Sequence, residues 1–483
     1  MIGSAGYSLY SLIAIINGLR IDAIITLLSQ NGAATSQHAS SSMAIVLEDI
    51  LGLLVGIGAA CMLSAIACSA CVYMCPSATF SGVPEVMSYL NGVAMSKSFT
   101  LETCVYKFFS NAFAVSSGMP IGPEGPMIHI GAIIGRSILY FLSGHEHGPS
   151  RSGGNGRTEK VKNIVSQREE RDFIIAGVGC GVAVAFGAPL GGLLFAFEEV
   201  SSGSGGSGIS SGSSSGSGSL VWRTFLCCLC GVFTTNFLKS GEDYLLQENR
   251  KFGSFDNQWS VAYEVHKLVD SHIYVVGISI FTGCVCGILG SLFTEGVVRM
   301  TRMKRQFFEK WEEGSVGVVA VEEERRRSSR LLKVLDVMVV MTLFTSVSIL
   351  LPILTPCVEA DCYIDASGDY SCGSSKTTTT MSETAAFNQV PKHAVLEDVV
   401  SSICHTAADS PTSSSPRLMY SEFGTLFLKS GHNTVRQLLS RETPRQFSVT
   451  VLVLFLLVYF IFSGVCCLHF EYNSVVEIIE FIS

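Results

Sequence analysis

Long uncharged runs alternate with short polar loops along most of this chain. Phe173 to Phe197, Val337 to Val358 and Gln446 to Leu468 contain no Asp, Glu, Lys, Arg or His. Each run has the roughly 20 apolar residues that carry a helix across a bilayer. Similar runs predict helices over Tyr7 to Gln30, Ser42 to Met74, Leu101 to Ser117, Val221 to Leu238, His272 to Val298 and Leu331 to Ile353. Arg20 and Asp22 are read as interrupting the first of these, and a shorter amphipathic segment is expected near Ser421 to Leu438. Several such runs in one chain exclude an ordinary soluble domain.

Three places break the pattern. Ser81-Gly82-Val83-Pro84 reads as a turn that opens a short helix reaching about Gly92. Gly118 to Pro126 is too rich in Gly and Pro for a regular helix, and the helix after it, to about Leu142, is short for a full crossing. Gly187-Ala188-Pro189 divides Phe173 to Glu199 into two half-length helices. Short, interrupted apolar segments place helix ends inside the membrane. They are tolerated there only where protein or an aqueous cavity surrounds the freed backbone.

Composition agrees: 15% of residues are charged, 48% are hydrophobic and the mean hydropathy is +0.42. The net charge of -8 sits in loops and gives no reason to expect a nucleic-acid partner. Basic residues gather between Arg151 and Arg171 and between Arg299 and Lys333, which places both loops in the cytosol. The segment from about 357 to 441 is poor in basic residues and is expected on the opposite side. Most of the 17 cysteines lie in apolar runs, where the residue acts as a small hydrophobe. Cys227, Cys228 and Cys230 lack the His or second Cys pair of a zinc site, so no metal or other cofactor is expected. A disulfide among Cys357, Cys362 and Cys372 is open. No cleavable signal peptide is expected.

Chemistry concentrates at the breaks. Gly82 frees the backbone and Pro84 suits a first helical turn, so the amides there carry the positive end of a helix dipole. Such an end binds anions, and the Ser81 hydroxyl adds a donor. Gly122-Pro123-Glu124-Gly125-Pro126 aims a second helix start inward and sets a carboxylate on it. A glutamate there competes with a permeant anion for the same donors, and a proton decides between them. Carboxylates at bilayer depth are costly and mark ion paths. Glu198 and Glu199 end an uncharged run; a pair marking where the helix meets the cytosol is the ordinary reading, and for Glu199 it stays open on the residues alone. Gly177-Val178-Gly179-Cys180-Gly181 lies inside an apolar run and reads as close helix packing rather than a phosphate loop.

Ser81-Gly82-Val83-Pro84-Glu85, Gly122-Pro123-Glu124-Gly125-Pro126-Met127-Ile128-His129 and Ala185-Phe186-Gly187-Ala188-Pro189 through Phe197-Glu198-Glu199 resemble, in order and spacing, the ClC chloride channel and transporter family. Glu170-Arg171-Asp172-Phe173, Trp222-Arg223-Thr224-Phe225 and Tyr420 to Phe427 are similar to its endosomal and lysosomal branch. The likeness runs from about Ser11 to Gly464. It implies an all-α membrane fold, a polytopic bundle of broken and tilted helices with an inverted repeat. The expected division is a first repeat over 1–237, with the basic loop at 143–171 and a disordered Ser/Gly insertion at 201–219. A connecting segment at 238–271, an incomplete second repeat at 272–464 and an off-pattern tail at 465–483 follow.

The resemblance implies that Ser81, Gly82, Val83, Pro84, Gly122 and Gly125 bind chloride. Glu124 would be the external gating glutamate and Glu199 the internal proton-transfer glutamate. Two acids imply chloride/proton exchange across an acidic intracellular membrane rather than passive conduction, in a homodimer or a dimer with a full-length relative. No enzymatic activity is expected. Pro123 stands where the family usually has Lys or Arg, and Phe80 where it usually has Gly. After Gly464 the family's Gly-x-Phe-x-Pro helix start and later site tyrosine are not found in this sequence. The rival readings are a passive chloride channel and a non-transporting membrane subunit.

Overall fold

The computed structural model describes residues 1–34, 42–79, 81–93, 95, 98–143, 167–200, 217–246, 273–314, 322–364, 370–372, 417–429, 431–439 and 447–482. Seven helices among them are long and apolar enough to cross a membrane. The chain opens with α1 (Ile2–Ala34) and α2 (Ser42–Ser69), the latter ending in a π-turn, Ala70–Met74. Then come α3 (Val83–Leu90), α4 (Leu101–Ser116), α5 (Glu124–Leu142), α6 (Gln167–Phe186), α7 (Pro189–Phe195) and α8 (Ser217–Leu246). The remainder holds α9 (Ile273–Gly314), α10 (Glu322–Leu354), β1 (Val358–Ile364), β2 (Tyr370–Cys372), β3 (Arg417–Tyr420), α11 (Glu422–Phe427), α12 (Gly431–Leu439) and α13 (Val449–Ile482).

The breaks fall where the backbone demands them. Gly82 caps α3 at φ +103°, and Pro84 occupies the first turn. Gly187, at φ +65°, ends α6, and Pro189 opens α7. Thr100 caps α4 by accepting the Thr103 amide at 3.2 Å, and Ser421 caps α11 from Gly424 at 3.1 Å. α6 has 20 residues, so only its partner α7 is a half-length piece.

Helices α5 and α6 meet backbone to backbone. A Cβ at Gly131 would overlap the Gly177 carbonyl oxygen, one at Gly135 the Phe173 oxygen, and one at Gly181 the Met127 oxygen. Paired glycines four residues apart on both helices let the axes close to this range. α7 folds back on α6 by the same device, with Gly192 against Gly179 and Ala183. Around this seam Ile128, Ala132, Ile133, Ile174, Val178 and Val182 form the largest buried cluster. α10 joins through α2, where Ala60, Cys61, Val337 and Met341 bury together with Met119. Aromatic rings tie α13 to α11 and α9: Phe427 to Phe455 at 5.0 Å, and Phe293 to Phe460 at 5.2 Å.

Several details depart from expectation. α1 runs unbroken past Arg20 and Asp22, because a charge is costly in lipid but does not break a helix. α9, α10 and α13 extend well beyond the apolar runs, through polar residues that still favour helix. Residues 465–482, for which no helix was expected from sequence, continue α13, which leaves open whether they follow the family's pattern. α8 starts at Ser217 and reaches Leu246, so both the insertion and the connecting segment contribute turns to it. The rest of those two segments, 201–216 and 247–272, and residues 144–166 of the first basic loop lie outside the described residues. Within 357–441 a small antiparallel sheet of order β2-β1-β3 is added to the helical bundle. Cys362 pairs in register with Cys372, and Cys357 is disulfide-bonded.

Candidate anion and proton site

The starts of α3 and α5 come together. A Cβ on Gly125 would lie 3.4 Å from both the Cβ and the carbonyl oxygen of Ser81, so the two segments are in van der Waals contact. Gly82 is buried and packs on His129, one turn into α5. Its missing side chain lets the loop reach that ring. Val83 is half-buried, while Ser81 and Pro84 are exposed. That side of the loop is therefore open among the described residues.

Glu124 is the first residue of α5 and is half-buried. Its carboxylate turns back over Gly122: a Cβ at Gly122 would collide with Oε2. Gly122 thus keeps vacant the space that the carboxylate fills. Ser81, Gly82, Gly122, Glu124 and Gly125 are gathered at one place.

Glu199 lies elsewhere. It belongs to a π-turn, Ala196–Val200, that continues α7. That turn packs on α6 and also reaches α3: Ala196 is buried in one cluster with Ile174 and Val178 of α6 and Val86 and Leu90 of α3. The Glu199 side chain lies outside the described residues. The neighbouring Glu198 is exposed.

Behind the Ser81 loop stands a buried polar cluster. Lys107, on α4, places Nζ 2.7 Å from Nδ1 of His129. Both are nearly sealed from solvent, at 2% and 0% exposure, and so is Glu85 in the first turn of α3, at 2%. The Oε2 of Glu85 has no hydrogen-bond partner among the described residues. His129 also stacks edge-on against Phe99, at 5.3 Å. A buried lysine, the histidine ring bonded to it and a buried acidic side chain therefore back the loop.

A second tie holds α3 to the glycine seam. The Arg136 Nε and the Tyr89 hydroxyl both donate to Oε1 of Glu170, each at 2.6 Å. The guanidinium also lies over the rings of Tyr89, Phe99 and Tyr140, 5.3–5.9 Å from their centroids. Neither group was singled out from sequence. A lone Lys in apolar α4, and an Arg and a Glu flanking a loop, were the available signals, but nothing in their spacing pairs them.

The sequence model of the family described as "Voltage gated chloride channel" matches residues 62–469. The chain belongs to that family of membrane proteins. Among curated relatives it is similar to "Chloride channel protein A" of Dictyostelium discoideum, 37% identical over 48% of this chain and 23% of the relative. It is 26% identical to "Chloride channel protein CLC-b" of Arabidopsis thaliana over 94% of this chain and 48% of the relative. It is 34% identical to "H(+)/Cl(-) exchange transporter 7" of Mus musculus over 45% of this chain and 24% of the relative. The chain spans about half, or less, of the length of these relatives. Among solved structures, that of a slow cyanobacterial Cl-/H+ antiporter is similar with a TM-score of 0.44 and 17% identity, over 71% of this chain and 61% of the other.

Proposed function

We propose that the chain carries chloride across an intracellular membrane in exchange for protons, as a multi-pass protein that acts as a dimer. The observation that carries this reading is the convergence of two helix starts, with Ser81 against Gly125 and the Glu124 carboxylate folded over Gly122. An anion held at those helix starts and the Glu124 carboxylate compete for one set of donors, and protonation of Glu124 yields the place to the anion. Glu199, on the continuation of α7, passes the proton to the cytosolic side. The exchanger named among the relatives supports coupling, and the second acid distinguishes it from passive conduction. The disulfide at Cys357 agrees with an oxidising compartment on the face opposite the basic loops.

Reconstitution into liposomes under a chloride gradient tests the proposal. Chloride efflux is expected to drive protons uphill. Glu124→Ala is expected to leave chloride flux without proton movement, and Glu199→Ala to stop proton flux while sparing chloride. Chloride flux with no uphill protons in the unaltered chain rejects exchange in favour of a channel. The exposure of Ser81 favours one second reading, a subunit that does not transport alone, since a halide on an open loop keeps few protein donors after losing its water. Absence of any flux, with co-purification of a longer family member, decides for that reading.

A further inference from the structure

Arg20 is a cation in the middle of an apolar helix. It sits in the segment of α1 suited to span a membrane, Ile2–Leu27. One terminal nitrogen donates to Oδ1 of Asn17 at 2.9 Å. Its Nε is buried and meets no acceptor among the described residues. The guanidinium lies flat against Gly118, where a Cβ would come within 2.8–3.0 Å of three of its atoms. Gly118 has φ +86° and carries no side chain to shield the charge.

Beside this group is a small, partly open cavity of about 20 Å³, room for a single small ion or water. Its polar walls are Arg20, Ser117, Thr345 and Ser348, and its apolar walls include Ile24, Phe344 and Ile349. Among the described residues, no Asp or Glu lines it. Asp22 lies two residues from Arg20 on α1, which points it to a different face, and it is exposed. The Ser117 and Ser348 hydroxyls donate to carbonyls of their own helices, leaving Arg20 and Thr345 as the donors that face the space. An uncompensated charge out of water is expensive, and a buried cation is stable when an anion joins it.

We propose that this cavity binds a small monovalent anion, a halide, paired with the Arg20 guanidinium. One positive charge suits one negative charge, and a phosphate would bring more charge than the walls can match. Polarizable halides also tolerate the Ile24, Phe344 and Ile349 walls better than a strongly hydrated oxyanion does. The site lies toward the end of α10 remote from its basic start, since Ile24 and Ile349 bury together near Leu428. Gly118 leads directly into the segment holding Gly122 and Glu124. The site therefore holds halide at the approach to Glu124, a consequence that rests on the transport reading, whereas the binding itself does not.

Crystals of the full chain grown with bromide in place of chloride test this by anomalous scattering, alongside Arg20→Gln and Arg20→Lys. An anomalous peak in hydrogen-bonding range of Arg20 Nε is expected in the unaltered chain, kept in weakened form in Arg20→Lys and lost in Arg20→Gln. Bromide-dependent thermal stabilisation is expected to need at least about tenfold more bromide in Arg20→Gln. A peak near Ser81 with none at Arg20 overturns this inference and leaves the transport reading standing. A peak at Arg20 with none near Ser81 supports the inference and counts against the transport reading. Lipid headgroup density against Arg20, with no bromide there, also overturns it. If Arg20→Gln does not fold, the unaltered chain and Arg20→Lys decide the matter.

Discussion

Gly82→Ala isolates what the loop over His129 requires. Two glycines bracket α3, and both have positive φ: Gly82 at +103° and Gly92 at +97°. Alanine at either one takes on the backbone strain, about 1–3 kcal/mol. At Gly92 nothing lies within 4 Å of the new methyl, so strain is the whole effect. At Gly82 the methyl overlaps the Cβ of His129 and comes within 2.8 Å of its Cγ and 3.0 Å of its Nδ1. That ring has no room to retreat, being fully buried and bonded to Lys107 at 2.7 Å. Overpacking of this kind adds about 1–3 kcal/mol. Gly82→Ala is therefore expected to cost about 2–6 kcal/mol against about 1–3 for Gly92→Ala. The overlap also pushes Ser81 off Gly125, and a shift of about 1 Å at a binding loop weakens it on the order of 100-fold. The assay is the midpoint of heat-induced aggregation for both purified variants, together with radiolabelled chloride binding. Equal midpoints for the two variants, or unchanged chloride affinity in Gly82→Ala, would refute the argument that His129 sets the loop.

Two further outcomes follow from the packing. Gly177→Ala drives a methyl into the Gly131 carbonyl and is expected to destabilise the fold by about 1–3 kcal/mol, whereas Gly283→Ala on the open surface of α9, where nothing lies within 4 Å, is expected to be neutral or to stabilise by up to about 1 kcal/mol; opposite shifts in melting midpoint check the pair. Arg136→Ala leaves Glu170 with the Tyr89 hydroxyl alone and is expected to cost about 2–4 kcal/mol, slightly below a fully buried pair because the side chains are 16% and 12% exposed. Faster hydrogen exchange confined to α3 and the start of α6 in that variant would show where the tie acts.

Much of the helical framework was legible because it depends on local chemistry. Gly82 with Pro84, and Gly187 with Pro189, announce their breaks through backbone freedom and a missing amide, and the breaks fall there. The clustering of Ser81, Gly122, Glu124 and Gly125 was reachable only through motif spacing, since no local signal brings residue 81 to residue 125. Lys107 of α4 meets His129 of α5, a contact between separate helices that no periodicity encodes. Arg20 and Asp22 misled by composition: they raise the cost of burial without altering helical propensity, so α1 continues through them. The β1–β3 sheet draws β3 from well after β1 and β2, so its pairing is a long-range product that a polar, Ser/Thr-rich stretch does not advertise.

The glycine seam constrains how fast anything here can switch. With carbonyls of one helix seated in the bare backbone of the other, α5 cannot slide or roll on α6 without unpacking the largest cluster among the described residues. The ledge that carries Glu124 is then stationary, and the movable part shrinks to a few torsions of one carboxylate arm. Rotamer changes take picoseconds to nanoseconds, against microseconds or more for swinging helices. Under the exchange proposed above, a device built on such a fixed mount keeps time by the arrival of its proton.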